Sequence, residues 1–241
     1  FGHEPDKFPE FRKRYAKDLV RERHLAKALR VLAEESYFNP GEQLSFIEAV
    51  YGNRGSKAGT GNPAALENEI RSNLLKAGGA AFVEEDENSF LEITALIGII
   101  KDAGGIPCYP VLLDDPSGRC TEFEQDPGKL DDALTSLGVN CIELIPGRND
   151  HDFLEAFAGY FDSRGYVITF GTEHNTPELA PLAITARGGK TLSDNLKRIN
   201  TRGVSVIAAH QYMRAKGEAG YPDLNGRQRK EAIREFELAG R

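Results

Sequence analysis

GYVITFGTEHNTPELAPL, residues 165–182, is the stretch whose reading decides the fold. Its opening run, YVITF at 166–170, is β-branched and aromatic and carries no charge, the composition of a strand buried on both faces. The run stops at Gly171, and Thr172, Glu173, His174 and Asn175 follow, four polar side chains able to hydrogen-bond or hold a metal. A buried strand whose carboxyl end releases a polar cluster is how α/β barrels and open α/β sheets present their sites. The same residues also suit a solvated loop, because Asn175 and Pro177 are ordinary turn residues.

Upstream of this stretch the chain alternates. A helix is predicted over 127–137, a strand over 139–145 in which Glu143 is the only charge, a break at PGRND (146–150), and a helix over 151–164. Before these, a helix ending at Ala103 gives way through Gly104 and Gly105 to IPCYPVLL (106–113), an extended run whose ladder Pro107 and Pro110 must interrupt. Ser89 with Glu92 three residues on predicts a capping box for that helix, led in by the acidic run 84–87. Helix and strand in alternation with short links predict βα units and a parallel sheet or barrel. Downstream, 193–200 is helical; 204–209 suits strand or buried helix, and its continuation through Met213 favours helix. The charged tail after Gly220 is predicted to be peripheral.

The first third reads differently. Phe11, Tyr15, Leu19, Val20, Leu25, Leu29 and Leu32 recur at helical spacing among charges, giving an amphipathic helix or two. The basic residues on it are interleaved with Glu10, Asp18 and Glu22, which favours a salt-bridged solvated face over a phosphate-binding patch. Helices are predicted over 42–51 and 64–77. Between them GNRGSKAGTGNP (52–63) could wrap phosphate with backbone amides, helped by Arg54 and Lys57. It lacks the GK[ST] ending of a P-loop and does not follow a strand, so a surface loop is expected. The organisation expected is a mostly helical segment over 1–80, a βα part over 81–220 and a charged peripheral tail over 221–241.

Composition narrows the class. With 241 residues and a net charge of -7, the chain can bury a sizeable core, and an acidic balance argues against a nucleic-acid surface and for a small-molecule partner. Cys108, Cys120 and Cys141 are odd in number and show no CxxC, so neither a disulfide framework nor a zinc ribbon is expected. No apolar run is long enough for a membrane span and no signal sequence opens the chain, so a cytoplasmic address is expected. The start at Phe1 suggests a trimmed or truncated product.

Three segments together resemble the PHP family, the polymerase and histidinol phosphatase class of metal-dependent phosphoesterases. They are Ala103, Gly104, Gly105 and Ile106 after a helix; Leu137, Gly138 and Val139 leading to Ile142 and Glu143; and the 165–169 strand leading to Gly171, Thr172, Glu173 and His174. The resemblance spans about residues 89–178. It implies a distorted TIM-like (βα) barrel, incomplete at its N-terminus, that binds two or three Zn, Mn or Fe ions to activate water against a phosphate ester. It implies Glu143, Glu173 and His174 as metal ligands and catalytic groups, with Arg148 and Asn175 binding a phosphorylated small molecule.

This sequence departs from the family pattern in three places. The family's opening His-x-His pair is absent, Tyr109 and Pro110 or, by direct spacing, Val111 and Leu112 stand where it has His-Pro, and the acid of the terminal motif is adjacent to the histidine. In an extended chain Glu173 and Asn175 share a face and His174 points away; alternatively the backbone turns after Glu173 and brings His174 inward. Counting ligands, the implied set is short of what a hydrolytic ion needs, so weak metal binding and little phosphatase activity are expected of the chain as given. Two further functions stay open: a metal-independent (βα)-barrel lyase or isomerase using Glu143 and His174 as base and acid, and a non-catalytic remnant of the fold.

Overall fold

The computed structural model describes residues 8–112, 117–172, 181–221 and 232–240. The chain divides into two compact units, Phe1–Phe90 and Leu91–Arg241.

In the first unit α1 (Phe8–Tyr15), α2 (Glu22–Ser36), α3 (Pro40–Val50) and α4 (Pro63–Ile70) follow one another. Asn39 and Asn62 start α3 and α4: each side chain accepts a backbone N–H of the first turn, and each is followed by proline, whose missing N–H costs nothing there. Ala26, Leu29 and Ala33 form one stripe of α2 and meet Ile47, Tyr51, Leu66 and Ile70 in a small core. Two of the basic residues, Arg14 and Arg30, are in ion pairs, with partners other than the interleaved acids, and Glu22 pairs with cations farther along the chain. Arg14 bonds Glu35, Arg30 bonds Glu67 at 2.8 Å, and Glu22 takes Lys76 at 3.0 Å and Arg71 at 3.3 Å. α4 runs on into a π-helical turn, Arg71–Leu75.

The second unit is built on three short parallel strands in the order of the chain: β1 (Cys108–Pro110), β2 (Cys141–Leu144) and β3 (Val167–Phe170). α5 (Ile93–Asp102) precedes β1, and the two crossovers carry α6 (Pro127–Ser136) and α7 (His151–Ser163). Ile142, Leu144, Ile168 and Phe170 face Leu130 and Leu134 of α6 and Leu154, Phe157 and Phe161 of α7. Cys141 and Val167, one residue out of phase, face the other way, toward Val206 and Ala209 of α8 (Asp194–Ala215) and Ile233 and Phe236 of α9 (Ile233–Ala239). Helices thus cover both faces, and the near-continuous apolar character of β2 and β3 follows.

The expected TIM-like barrel is not what the chain forms. The described residues are helix-rich, with three short parallel strands and a separate antiparallel pair, β4 (Thr185–Ala186) and β5 (Lys190–Thr191), and no closed barrel. The reason lies at the sheet's edges. Val167 and Gly171 donate to β2, at Asn140 and Leu144, so Ile168 and Phe170 turn their backbone groups to the open side of β3. There α8 lies: Asn200 Oδ1 accepts from Phe170 N at 2.8 Å, and Gly203 packs against the Ile168 carbonyl. A helix holds the edge where a barrel would need its next strand. On the other edge Val111 donates to Glu143 of β2, which turns Pro110, without an N–H, outward.

Other expectations shift with this. Of the described residues 106–112, Cys108–Pro110 form the strand, with Pro107 just before it and Pro110 at its end. Ser89 does not cap α5: it closes a 3-10 turn, bonds Asp86 at 3.1 Å, and the helix starts at Ile93 behind Glu92. The 204–209 run is helix, inside α8. Of the tail, Tyr221 and Phe236 are fully buried, so its described part is core where its charge predicts periphery. No described helix is long and apolar enough to cross a membrane.

Candidate functional site

Parallel βα connectivity sends the carboxyl ends of β1, β2 and β3 to one side, and a cavity of about 230 Å³ opens there. Each strand contributes to its lining: Pro110 and Val111 from the end of β1, Glu143 and Ile145 from β2, Gly171 and Thr172 from β3. The ends of the three strands therefore share one pocket.

Glu143 is the ionisable side chain of this lining among the described residues. The register aligns it with Pro110 on one side and Thr169 on the other. Its neighbours in β2, Ile142 and Leu144, are buried on the opposite face, while Glu143 is exposed. Arg164 is engaged away from it: its Nε bonds Asp131 at 3.2 Å and its guanidinium lies 3.5 Å over the Tyr160 ring. Arg148 sits exposed at the end of a 3-10 turn, Pro146–Arg148, and is not among the cavity's lining residues. The substrate-binding role implied for it has no support from this placement.

Gly171 ends β3 without a positive φ, so backbone freedom is not what a glycine supplies there. A Cβ there would lie 2.8 Å from Glu143 Oε1, so the absent side chain makes room for the carboxylate. Glu173, His174 and Asn175 lie outside the described residues, and the choice between the two backbone courses after Glu173 lies there too.

Tyr109, in one alignment standing where the family pattern has histidine, turns to the opposite face with Ile142 and Ile168. Its hydroxyl donates to the buried Glu124 at 2.7 Å, and burial together with that carboxylate pushes its pKa up. His210 and His24 each accept a backbone N–H. His210 Nδ1 accepts the Tyr221 N–H at 3.1 Å and His24 Nδ1 accepts that of Arg21 at 3.0 Å. His151 contacts Asp152 at 3.2 Å on the surface.

In the first unit the glycine-rich loop is pinned by its own chain. Glu69 accepts from Ser56 Oγ, Lys57 N and Ala58 N at 2.6, 2.8 and 3.0 Å, and Glu48 accepts from Ser56 N at 2.8 Å. Those hydrogen bonds hold the Glu69 carboxyl below its ordinary pKa despite partial burial. The amides that might have wrapped a phosphate are filled by an internal carboxylate. The signal was present in sequence only as a glutamate on the following helix, and spacing alone does not say that the loop folds back onto it.

No protein-family model, no curated protein and no solved structure matches this chain. Site chemistry alone therefore bears on function. Among the described residues no three His, Cys, Asp or Glu side chains converge as a metal site, and the described lining offers a divalent ion the single carboxylate of Glu143.

Proposed function

We propose that the chain acts through the cavity at the carboxyl ends of β1 to β3 as a metal-dependent hydrolase of small phosphate esters. One observation carries the reading. Glu143, an exposed carboxylate in an otherwise apolar strand, opens into a cavity that Thr172 also lines, and Glu173 and His174 are the next two residues of the sequence. A carboxylate held at the end of a central parallel strand, with apolar walls around it, is where α/β folds carry out chemistry.

In this reading Glu143, Glu173 and His174 hold a divalent Zn, Mn or Fe ion, which when bound would polarise a phosphoryl oxygen as a Lewis acid. The chain's own described contribution is narrower. The β2 ladder fixes the Glu143 backbone through the Val111 N–H, at 3.0 Å, and Gly171 leaves space beside the carboxylate. Val111 and Ile145 present apolar walls beside it.

The test is Mn²⁺ titration of the wild-type chain and of Glu143→Gln, read as bound metal, with hydrolysis of p-nitrophenyl phosphate followed alongside. The substitution should lower metal affinity by about 10- to 100-fold, the range for losing part of a coordination shell. It should leave the melting temperature unchanged, because Glu143 is exposed. Equal Mn²⁺ affinity in the two proteins would sink the reading, and hydrolysis that persists in excess chelator would point to metal-independent acid–base use of Glu143.

A further inference from the structure

The three cysteines are free thiols, and two of them are direct cross-strand partners. Cys108 of β1 is in register with Cys141 of β2, and their side chains share one face of the sheet. Paired residues on adjacent parallel strands stand about 4.8 Å apart, inside the Cα separation of roughly 4.4 to 6.8 Å that a disulfide spans without moving the backbone. The pairing therefore sets the two side chains beside each other on that face. Their accessibility is unequal: Cys108 is exposed and Cys141 is buried. Cys120, the third, is buried in the other core cluster, with Leu130 and Leu154.

We propose that Cys108 and Cys141 are a modification site, a dithiol that closes to a reversible intramolecular disulfide when a small-molecule disulfide such as oxidised glutathione is present. The exposed Cys108 sulfur, as thiolate, attacks one sulfur of the oxidant; its S–S bond breaks and one thiol equivalent leaves as thiolate. Cys141 then attacks Cys108 Sγ in the mixed disulfide and expels the second equivalent. The sum is two protein thiols and one oxidant disulfide giving one protein disulfide and two small thiols, with both protons transferred to the departing thiolates. Burial of Cys141 beside Cys108 shields it from external reagents and leaves it next to the sulfur it must attack. The bond links β1 to β2 at the pair adjoining Pro110 and Glu143, both of which line the cavity. This inference does not rest on the proposed hydrolysis.

The test is incubation of the folded chain with oxidised glutathione in the presence of a chelator, followed by thiol counting and intact and peptide mass spectrometry. Free thiols should fall from three to one, the mass should drop by about 2 Da, and the peptide carrying Cys108 should be joined to the one carrying Cys141. Dithiothreitol should restore all three thiols. Cys120→Ser should form the same link, whereas Cys108→Ser, a change at an exposed position, should keep both remaining thiols free. Retention of three thiols, a stable glutathione adduct on Cys108, or a link made through Cys120 or to a second chain would each overturn the proposal.

Discussion

Glu143 and Gly171 act as a pair. The carboxylate lies where a β-carbon of residue 171 would approach within 2.8 Å, so the glycine is explained by space rather than by backbone freedom. Gly171→Ala should therefore cost little stability, because a flexible carboxylate can swing aside. It should also lower Glu143-dependent turnover by about 10-fold or more, since displacing a reacting group by an ångström costs that much or more. Adding Glu143→Gln to Gly171→Ala should then cost much less than it does in the wild type, a non-additivity that kcat/KM measurements on the four proteins would read. Additive losses would show that the two residues are independent. Glu143 itself was legible as the only charge in an apolar strand; its partner's reason was not, because a residue 28 positions away must be folded beside it first.

At the scale of elements, the decisive contact is α8 against the open edge of β3. Gly203 allows it, since any β-carbon there would run into the Ile168 carbonyl, a backbone atom that cannot yield without disturbing the sheet. Gly203→Ala should destabilise by about 3 kcal/mol, the upper part of the range for overpacking, and appear in urea unfolding as a lower midpoint with unchanged slope. Gly159→Ala, inside α7 with nothing within 4 Å of the added carbon, should instead stabilise by about 0.5 kcal/mol through helix propensity. Equal effects from the two substitutions would refute the packing argument. The helical period through 194–213 was readable, and so was the preference for helix at 204–209. That this helix would take a strand's place at the sheet edge was not readable, because an amphipathic pattern states which face is apolar and not what that face will meet.

For the whole molecule, the second unit holds together around its C-terminal segments as well as its sheet. His210 ties α8 to the segment at 220–221: its Nδ1 accepts from Tyr221 N, and Gly220 packs directly on the ring. Burial, with Arg214 adding to it, lowers its pKa below the ordinary value of 6.5, so the folded state holds it neutral. A folded pKa below the unfolded one means that the unfolded chain binds the proton first. The stability contributed is complete above about pH 6.5 and is lost as pH falls from there through the folded value. The melting temperature should drop between pH 7.5 and 5.5, and His210→Gln should drop less over the same interval. Identical pH slopes in the two proteins would remove His210 from the account.

The sequence by itself determined the order and type of the elements around the sheet. Largely apolar β-branched runs at 139–145 and 166–170, helical periods between them, and proline and asparagine at helix starts are local preferences that act whatever the tertiary fold. It also marked Glu143, because a lone carboxylate in a buried strand needs an outlet. Tertiary structure alone decided how the sheet ends, that Tyr109 turns to Glu124 and away from the cavity, that Glu69 fills the glycine-rich loop, and that Ile233 and Phe236 in a charged tail are core. Each of these depends on which distant residue occupies a given edge, face or nest. Residue periodicity fixes directions relative to an element's own axis, and only packing against other elements turns those directions into neighbours.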